Sequence, residues 1–259
     1  MIRIQIMSDL HLGPHAAPIP PLVDGVSLVV VAGDTREGLV ESVEALRAAY
    51  PEPVQIAMVA GNHEFYGRHY HAELFAGLER ARSLGVHLLE NATAHFGRLR
   101  AIGATFWTDY LLFGPDLRAA AMRAAQDTMR DHKRIKWQKQ PQWLRFRPQE
   151  ALALHMRSRA YFEEELARSH DGPTMLIAHH GLTLEAVAPA SERSLTAAAY
   201  TSQIPFADGF RPDYVISGHT HHRIDFRRHG VRFISNPRGY PHEPGVRFDP
   251  QFVLEVPDA

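Results

Sequence analysis

Leu28-Val29-Val30-Val31-Ala32-Gly33-Asp34 is an apolar run that stops on a glycine and then a carboxylate. Branched apolar residues without polar alternation suit a strand covered on both faces of a sheet. Gly33 lets the backbone turn sharply where that strand ends. Asp34 therefore stands at a strand's carboxyl end, where ligands collect in open α/β sheets. By itself it is equally a turn former or a helix cap. Its reading changes because the same construction, an apolar run emptying into residues that bind metals, recurs four more times.

On the amino-terminal side, residues 2–7 alternate as a strand and end in Ser8-Asp9-Leu10-His11. In extended backbone Asp9 and His11 share a face, so they can grip one divalent ion; they also fit a turn aspartate beside a surface histidine. Pro14, Pro18, Pro20 and Pro21 mark the loop that follows. On the other side, Leu39, Val43 and Leu46 give residues 38–49 a helical spacing. A third strand over 54–60 then empties into Gly61-Asn62-His63-Glu64. A helix over 70–83 and a short strand over 86–89 continue the alternation, which implies parallel pairing with right-handed crossovers. Residues 95–104 read as a hairpin with no intervening helix, the mark of a second, mixed sheet. The apolar run returns at 174–178 before His179-His180-Gly181, and at 214–218 before His219-Thr220-His221-His222. A hairpin (224–226 with 231–234) and a last strand over 252–256 close the chain.

Residues 105–172 are the least patterned section, with helices expected over about 116–136 and 148–169. Nine Lys or Arg against two Asp lie between Arg118 and Arg147, interleaved with Trp137, Trp143 and Phe146. Such a stretch fits a solvated helix face with its aromatics turned to the core, a surface that follows nucleic acid, or a cap over an active site. With no repeat or linker in evidence, the expected organisation is one domain over 1–259 with a helical, basic insertion or cap at about 105–172.

Composition narrows the chemistry. The 259 residues are 45% hydrophobic and 22% charged, as in ordinary globular proteins. No apolar run approaches the roughly 20 residues that span a bilayer, and the first strand lacks the pattern of a signal peptide; a cytoplasmic location is expected. Cysteine is absent, which excludes disulfides, thiolate metal sites and cysteine nucleophiles. Any metal must be held by nitrogen and oxygen, which 17 histidines make possible. A net charge of −1 implies no polyanionic partner.

Asp9-x-His11, Gly33-Asp34, Gly61-Asn62-His63-Glu64, His179 and Gly218-His219-Thr220-His221, in that order and each after an apolar run, resemble the motifs of the calcineurin-like metallophosphoesterases. The resemblance covers most of the chain outside 105–172. It implies an α/β fold, a four-layer α-β-β-α sandwich of two mixed sheets flanked by helices, with the metal site at strand ends. It also implies that Asp9, His11 and His221 bind one metal, that Asn62, His179 and His219 bind the other, and that Asp34 bridges them. Two divalent or mixed-valence ions are expected, with manganese, iron or zinc suiting such donors. A shared carboxylate offsets their mutual repulsion, and a water between them loses its proton at a pKa of about 7. The expected activity is hydrolysis of a phosphodiester or phosphomonoester, diesters favoured, through a metal-bridging hydroxide. His63 resembles the family's non-ligand histidine that serves the leaving oxygen. His180 and His222 are expected to point away from the metals.

One departure matters. Protein phosphatases of this superfamily read Gly-Asp-x-x-Asp-Arg-Gly at the second motif, whereas this chain reads Gly33-Asp34-Thr35-Arg36-Glu37-Gly38. Glu37 keeps an acid there and is expected to orient His63. The phosphate-gripping arginine is missing, so Arg36, Arg238 or an arginine of 105–172 must replace it. The alternatives are a nuclease acting on DNA or RNA, served by the basic section, and a metal-free protein-binding scaffold on the same fold. A phosphate-ester substrate is the expected partner; nucleic acid is not favoured, and nothing points to a membrane.

Overall fold

The structure, a computed structural model, describes residues 1–257 apart from 141, 190, 207–210 and 242. The strand reading of the apolar runs holds. Along the first half run β1 (Ile2–Met7), β2 (Leu28–Ala32), α1 (Leu39–Ala49), β3 (Gln55–Val59), α2 (Tyr70–Ser83), β4 (His87–Leu88), β5 (Ala92–Phe96) and β6 (Leu99–Ala104). Then come α3 (Arg118–Thr128), α4 (Asp131–Arg134), the small hairpin β7 (Lys136–Gln138) and β8 (Leu144–Arg145), and α5 (Pro148–Ala167). The chain closes with β9 (Thr174–Ala178), β10 (Tyr214–Ser217), β11 (Ile224–Arg228), β12 (Val231–Ser235) and β13 (Val253–Val256).

Two mixed sheets result. The first has the order β13-β1-β2-β3-β4, parallel except for β13, which runs antiparallel to β1. The second has the order β11-β12-β10-β9-β6-β5, a parallel centre with an antiparallel strand at each edge. Strand alternation sorts the apolar residues into layers. Ile4, Ile6, Val30 and Val59 of the first sheet meet Ala101, Met175, Ile177 and Ile216 of the second in one buried layer. Val29, Val31 and Ile56 face the other way, onto Leu39, Val43 and Leu46 of α1. Leu176, Val215 and Phe233 pack outward against Phe162 and Leu166 of α5. This is the four-layer α-β-β-α sandwich that the sequence implies.

The carboxyl ends of the two sheets are joined. Ser8, just past β1, forms an isolated parallel bridge with Pro237, just past β12: the Ser8 N–H donates to the Asn236 carbonyl at 3.2 Å and the Arg238 N–H to the Ser8 carbonyl at 3.0 Å. The loops after β1, β2, β3, β9 and β10 therefore open into one crevice. One helix is expected over about 116–136, but the chain is extended at Met129 (φ −71°, ψ 133°) and divides into α3 and α4. The break turns Asp131 inward, where it is 3% exposed. The aromatics of this section divide too: Phe146 is buried, Trp143 is exposed, and Trp137 packs half-buried against Tyr70 and Phe146.

Candidate metal centre

The side chains at the strand ends converge because the backbone leaves each strand in an unusual conformation. Asp9, His11, Asp34, His219 and His221 all lie in the left-handed region, with φ between 42° and 67°. Few non-glycine residues adopt it, Asp and His more readily than most, and its cost of about 1–3 kcal/mol per residue is characteristic of functional sites. Extended geometry was expected to put Asp9 and His11 on one face; a left-handed turn at both residues does so instead. Two glycines permit the close approach. A Cβ at Gly61 would overlap Asp34 Oδ1, and one at Gly218 would stand 2.7 Å from Asp9 Oδ2.

Eight of the nine singled-out side chains meet at Asp34 and its neighbours, all but Glu37. On one side His11 Nε2 is 2.9 Å from His221 Nε2, which is 3.5 Å from Asp9 Oδ1, and His11 Nε2 is 3.8 Å from Asp34 Oδ2. On the other, His179 Nε2 is 3.0 Å from Asn62 Oδ1, 3.1 Å from His219 Nδ1 and 3.4 Å from Asp34 Oδ1. Asp34 thus presents one oxygen to each group. Its Oδ1 also accepts the His63 N–H at 2.9 Å. Within Asp9-His11-His221 and within Asp34-His179-His219, one donor atom from each residue lies within 4.8 Å of the others; either group could hold an ion.

The donor chemistry fits a cation. The Ala32 carbonyl can only accept, so the 2.8 Å contact makes His179 Nδ1 the N–H and leaves Nε2 a lone pair. That lone pair faces the Asn62 carbonyl oxygen, and two acceptors at 3.0 Å repel unless a positive charge lies between them. In the other group Glu243 takes the N–H of His221 Nδ1 at 2.6 Å and leaves Nε2 facing His11. Burial pushes the His11 imidazole down to about 3 and also lowers His179 and His219, favouring the neutral rings that metals bind. His221 goes the other way: against burial, Asp9 and Glu243 push it up to about 9, so a cation there must displace its proton. Burial and the neighbouring carboxylates Glu64 and Asp9 push Asp34 well up, a penalty that cations would reverse. Asp9 behaves oppositely: burial would raise it, but His221 and the other imidazoles hold it below the usual carboxylate range.

His63 is 9% exposed, and its Nε2 lies 3.0 Å from the Tyr240 hydroxyl and 3.8 Å from Asp34 Oδ2. It lines a cleft of about 340 Å³ together with Asp34, Asn62, His219 and His221. Glu37 does not reach it. The Glu37 carboxylate instead forms a bidentate pair with Arg134, at 2.6 and 2.9 Å, and Arg134 lies over the Tyr66 ring. The expectation that Glu37 orients His63 is therefore corrected: a charged guanidinium outcompetes a neutral imidazole for an exposed carboxylate, and Glu37 pins α4. His180 does not face the donors' centre; its Nδ1 contacts the Thr105 carbonyl and its ring packs on His219.

Of the candidate phosphate-gripping arginines, Arg238 spends its guanidinium on the carbonyls of Leu10, Ala17 and Pro18. Arg36 does not line the cleft. Arg130 does. Sequence reasoning missed four further residues. Glu64 was quoted in its motif but given no role; wholly buried, it accepts the N–H groups of Asp34, Thr35 and Gly61 and the Ser42 hydroxyl. Asp131 accepts from the Asn62 amide and the Tyr66 hydroxyl, each at 2.7 Å. Glu243 and Tyr240 come from the loop after β12, with the Tyr240 ring stacked on His11. Nothing marks Asp131 within a basic stretch, or Glu243 among prolines and glycines.

An α-β-β-α sandwich whose strand ends gather buried carboxylates, imidazoles and an amide oxygen defines a metal-dependent phosphoric ester hydrolase. A family model for calcineurin-like phosphoesterases matches residues 2–223, and the chain belongs to that family, whose members depend on two metals. Among solved structures, the phosphopantetheinyl hydrolase PptH of Mycobacterium tuberculosis is similar at 21% identity and a TM-score of 0.71, over 94% of this chain and 93% of that one. A Staphylococcus aureus protein provisionally described as a 5'-nucleotidase is similar at 15% identity and a TM-score of 0.47, over 92% of this chain and 49% of that one. No curated protein matches the sequence at a significant level. Among the described residues no helix is long and apolar enough to cross a membrane.

Proposed function

We propose that the chain hydrolyses a phosphodiester in preference to a monoester, with Asp9, His11 and His221 holding one metal, Asn62, His179 and His219 the other, and Asp34 shared between them. The observation that carries this reading is the pair of donor groups on either side of Asp34, one facing each carboxylate oxygen. When bound, two such ions supply the Lewis acidity that neutralises phosphoryl oxygens and acidifies a water toward a pKa of about 7; nitrogen and oxygen donors suit manganese, iron or zinc.

The protein's own side chains do the rest. His63 serves the leaving oxygen from the cleft wall, its ring held by the Tyr240 hydroxyl and packed on Tyr66. Arg130, which has no ion-pair partner among the described residues, grips a non-bridging phosphoryl oxygen in place of the missing motif arginine. Preference for a diester is supported by the far wall of the cleft, where Met129, Val187, Ala188 and Tyr200 offer apolar and aromatic surface to a second ester group. Residues 105–172 act as a cap within a single domain, contributing Thr128, Met129 and Arg130 to that cleft.

A nuclease reading finds less support. Arg134 and Arg147 are paired with the carboxylates of Glu37 and Glu150, and Arg118, Lys133 and Lys136 are tied to the main-chain carbonyls of Asp109, Asp127 and Gly67, which leaves fewer of these side chains free to follow a phosphate backbone. The filled donor positions weigh against a metal-free scaffold.

The test is turnover of a bis-aryl phosphodiester, an aryl monophosphate, cyclic nucleotides and single-stranded DNA by protein supplemented with manganese, alongside elemental analysis. Two equivalents of metal and fastest turnover of a small diester are expected. Cleavage of DNA alone, with steep salt dependence, would overturn the substrate assignment. Less than one equivalent of metal would overturn the ligand set.

A further inference from the structure

We propose that Asp131 and Glu243 are positioning residues, each governing the occupancy of one metal position: Asp131 through the Asn62 amide, Glu243 through the His221 imidazole. The inference rests on the ligand set proposed above. Neither residue belongs to a motif. Asp131 opens α4 inside the section 105–172, and Glu243 lies beyond residue 223, where the family match ends.

An asparagine binds a metal through Oδ1 only if something decides which end of its amide faces the ion, since the two ends are nearly the same size. Asp131 makes that decision. Its Oδ1 receives the Asn62 Nδ2 donor at 2.7 Å and the Tyr66 hydroxyl at 2.7 Å, and Asn62 Nδ2 reaches the Tyr66 oxygen at 3.0 Å. A carboxylate offers acceptors only, so a flipped amide would set oxygen against oxygen at a site from which water is largely excluded. The amide is thereby locked with Oδ1 toward His179.

Glu243 performs the equivalent task for an imidazole. By taking the N–H of His221 Nδ1 it fixes the tautomer and leaves Nε2 free to ligate, an arrangement that orients metal-binding histidines and raises their basicity. The same oxygen, Oε2, accepts the Tyr240 N–H at 2.9 Å, and the Glu243 N–H returns to the Tyr240 carbonyl at 3.1 Å. His221 is thus aimed by a turn that has its own internal hydrogen bonds. The two carboxylates act on ligands in different donor groups, so each position can be weakened separately.

Manganese titration by calorimetry, with bound metal counted by elemental analysis, tests this without reference to turnover. Wild-type protein is expected to bind two equivalents. Asp131→Asn gives the amide a partner in either orientation, and Glu243→Ala frees the imidazole tautomer; each is expected to weaken one equivalent by about 10–100-fold and leave the other unchanged. The double variant should weaken both additively. Glu243→Gln, which keeps an acceptor for both N–H groups, should bind within a few-fold of wild type. Exchange of the pair supplies a control for folding. Asn62→Asp faces Asp131 with a second carboxylate and should lose its metal, whereas Asn62→Asp with Asp131→Asn restores donor to acceptor and should regain it. Two equivalents at unchanged affinity in both Asp131→Asn and Glu243→Ala would overturn the inference alone. Fewer than two in the wild type would overturn the ligand set and the inference together.

Discussion

Replacement of Glu64 should destabilise this protein more than replacement of any surface acid, although no cation pairs with it among the described residues. The buried carboxylate takes Asp34 N–H at 3.0 Å and Gly61 N–H at 2.8 Å on one oxygen, and Thr35 N–H at 2.7 Å and the Ser42 hydroxyl at 3.1 Å on the other. It ties the loop after β2 to the loop after β3 and so fixes the backbone on which Asp34 and Asn62 stand. In Glu64→Gln one oxygen becomes a donor. The least costly arrangement places it toward Thr35 and Ser42, because the Ser42 hydroxyl already reaches the Gly38 carbonyl at 2.8 Å and can turn away. One buried N–H then lacks an acceptor, which costs about 1–3 kcal/mol. In Glu64→Ala three N–H groups lose their acceptor, about 3–9 kcal/mol by the same measure, reduced toward the lower end by water entering the space and by removal of a desolvated charge. Equilibrium unfolding in urea, in chelator and again with manganese, would give the order wild type, Gln, Ala, and the thermal midpoint should fall by about 2–4 °C per kcal/mol. The Ala variant unfolding within about 1 kcal/mol of wild type would refute the reasoning.

Asp34→Asn should empty at least one metal position, read by elemental analysis after gel filtration; full occupancy would count against a shared ligand. His63→Ala should keep its metal and turn over a chromogenic ester about 10²–10⁴-fold more slowly, the usual scale for a lost general acid, and unchanged turnover would remove His63 from the chemistry. Glu37→Ala, by contrast, breaks an exposed pair and should cost only about 0–1 kcal/mol in urea unfolding, with turnover nearly unchanged; a loss on the scale of His63→Ala would restore the role the structure denies it. Burial lifts the Glu90 carboxyl above its ordinary range against the hydrogen bonds from Thr105. An acid with a raised folded pKa holds its proton more tightly when folded, so its contribution to stability is greatest below the unfolded pKa and is lost as pH rises through the folded one. Glu90→Gln should therefore gain on wild type in unfolding experiments as pH rises from about 4 to 7; a pH-independent difference would contradict this.

The elements that the sequence made legible are those with local causes. Apolar runs without polar alternation predicted β2, β3, β9 and β10 to within a residue or two, because a strand covered on both faces leaves few polar positions. Helical spacing placed α2 at its observed bounds. The single helix expected over 116–136 is instead two, because the tertiary contact of Asp131 with Asn62 and Tyr66 favours a break at Met129. Glu37 failed for a related reason. Its place in the motif is local, but its partner Arg134 is 97 residues away.

What the sequence alone determined was where the candidate donors stand: Asp9, His11, Asp34, Asn62, His179, His219 and His221 each follow an apolar strand, and strand periodicity with an acid, amide or imidazole just beyond is written in adjacent letters. What only the tertiary structure decided was how those donors are aimed. The left-handed backbone at five of them, the carboxylates of Asp131 and Glu243 that fix an amide and an imidazole, and the buried Glu64 beneath Asp34 depend on contacts between distant segments. A hydrogen bond's direction is set by the partner across the fold, and no spacing within one segment encodes which partner will arrive.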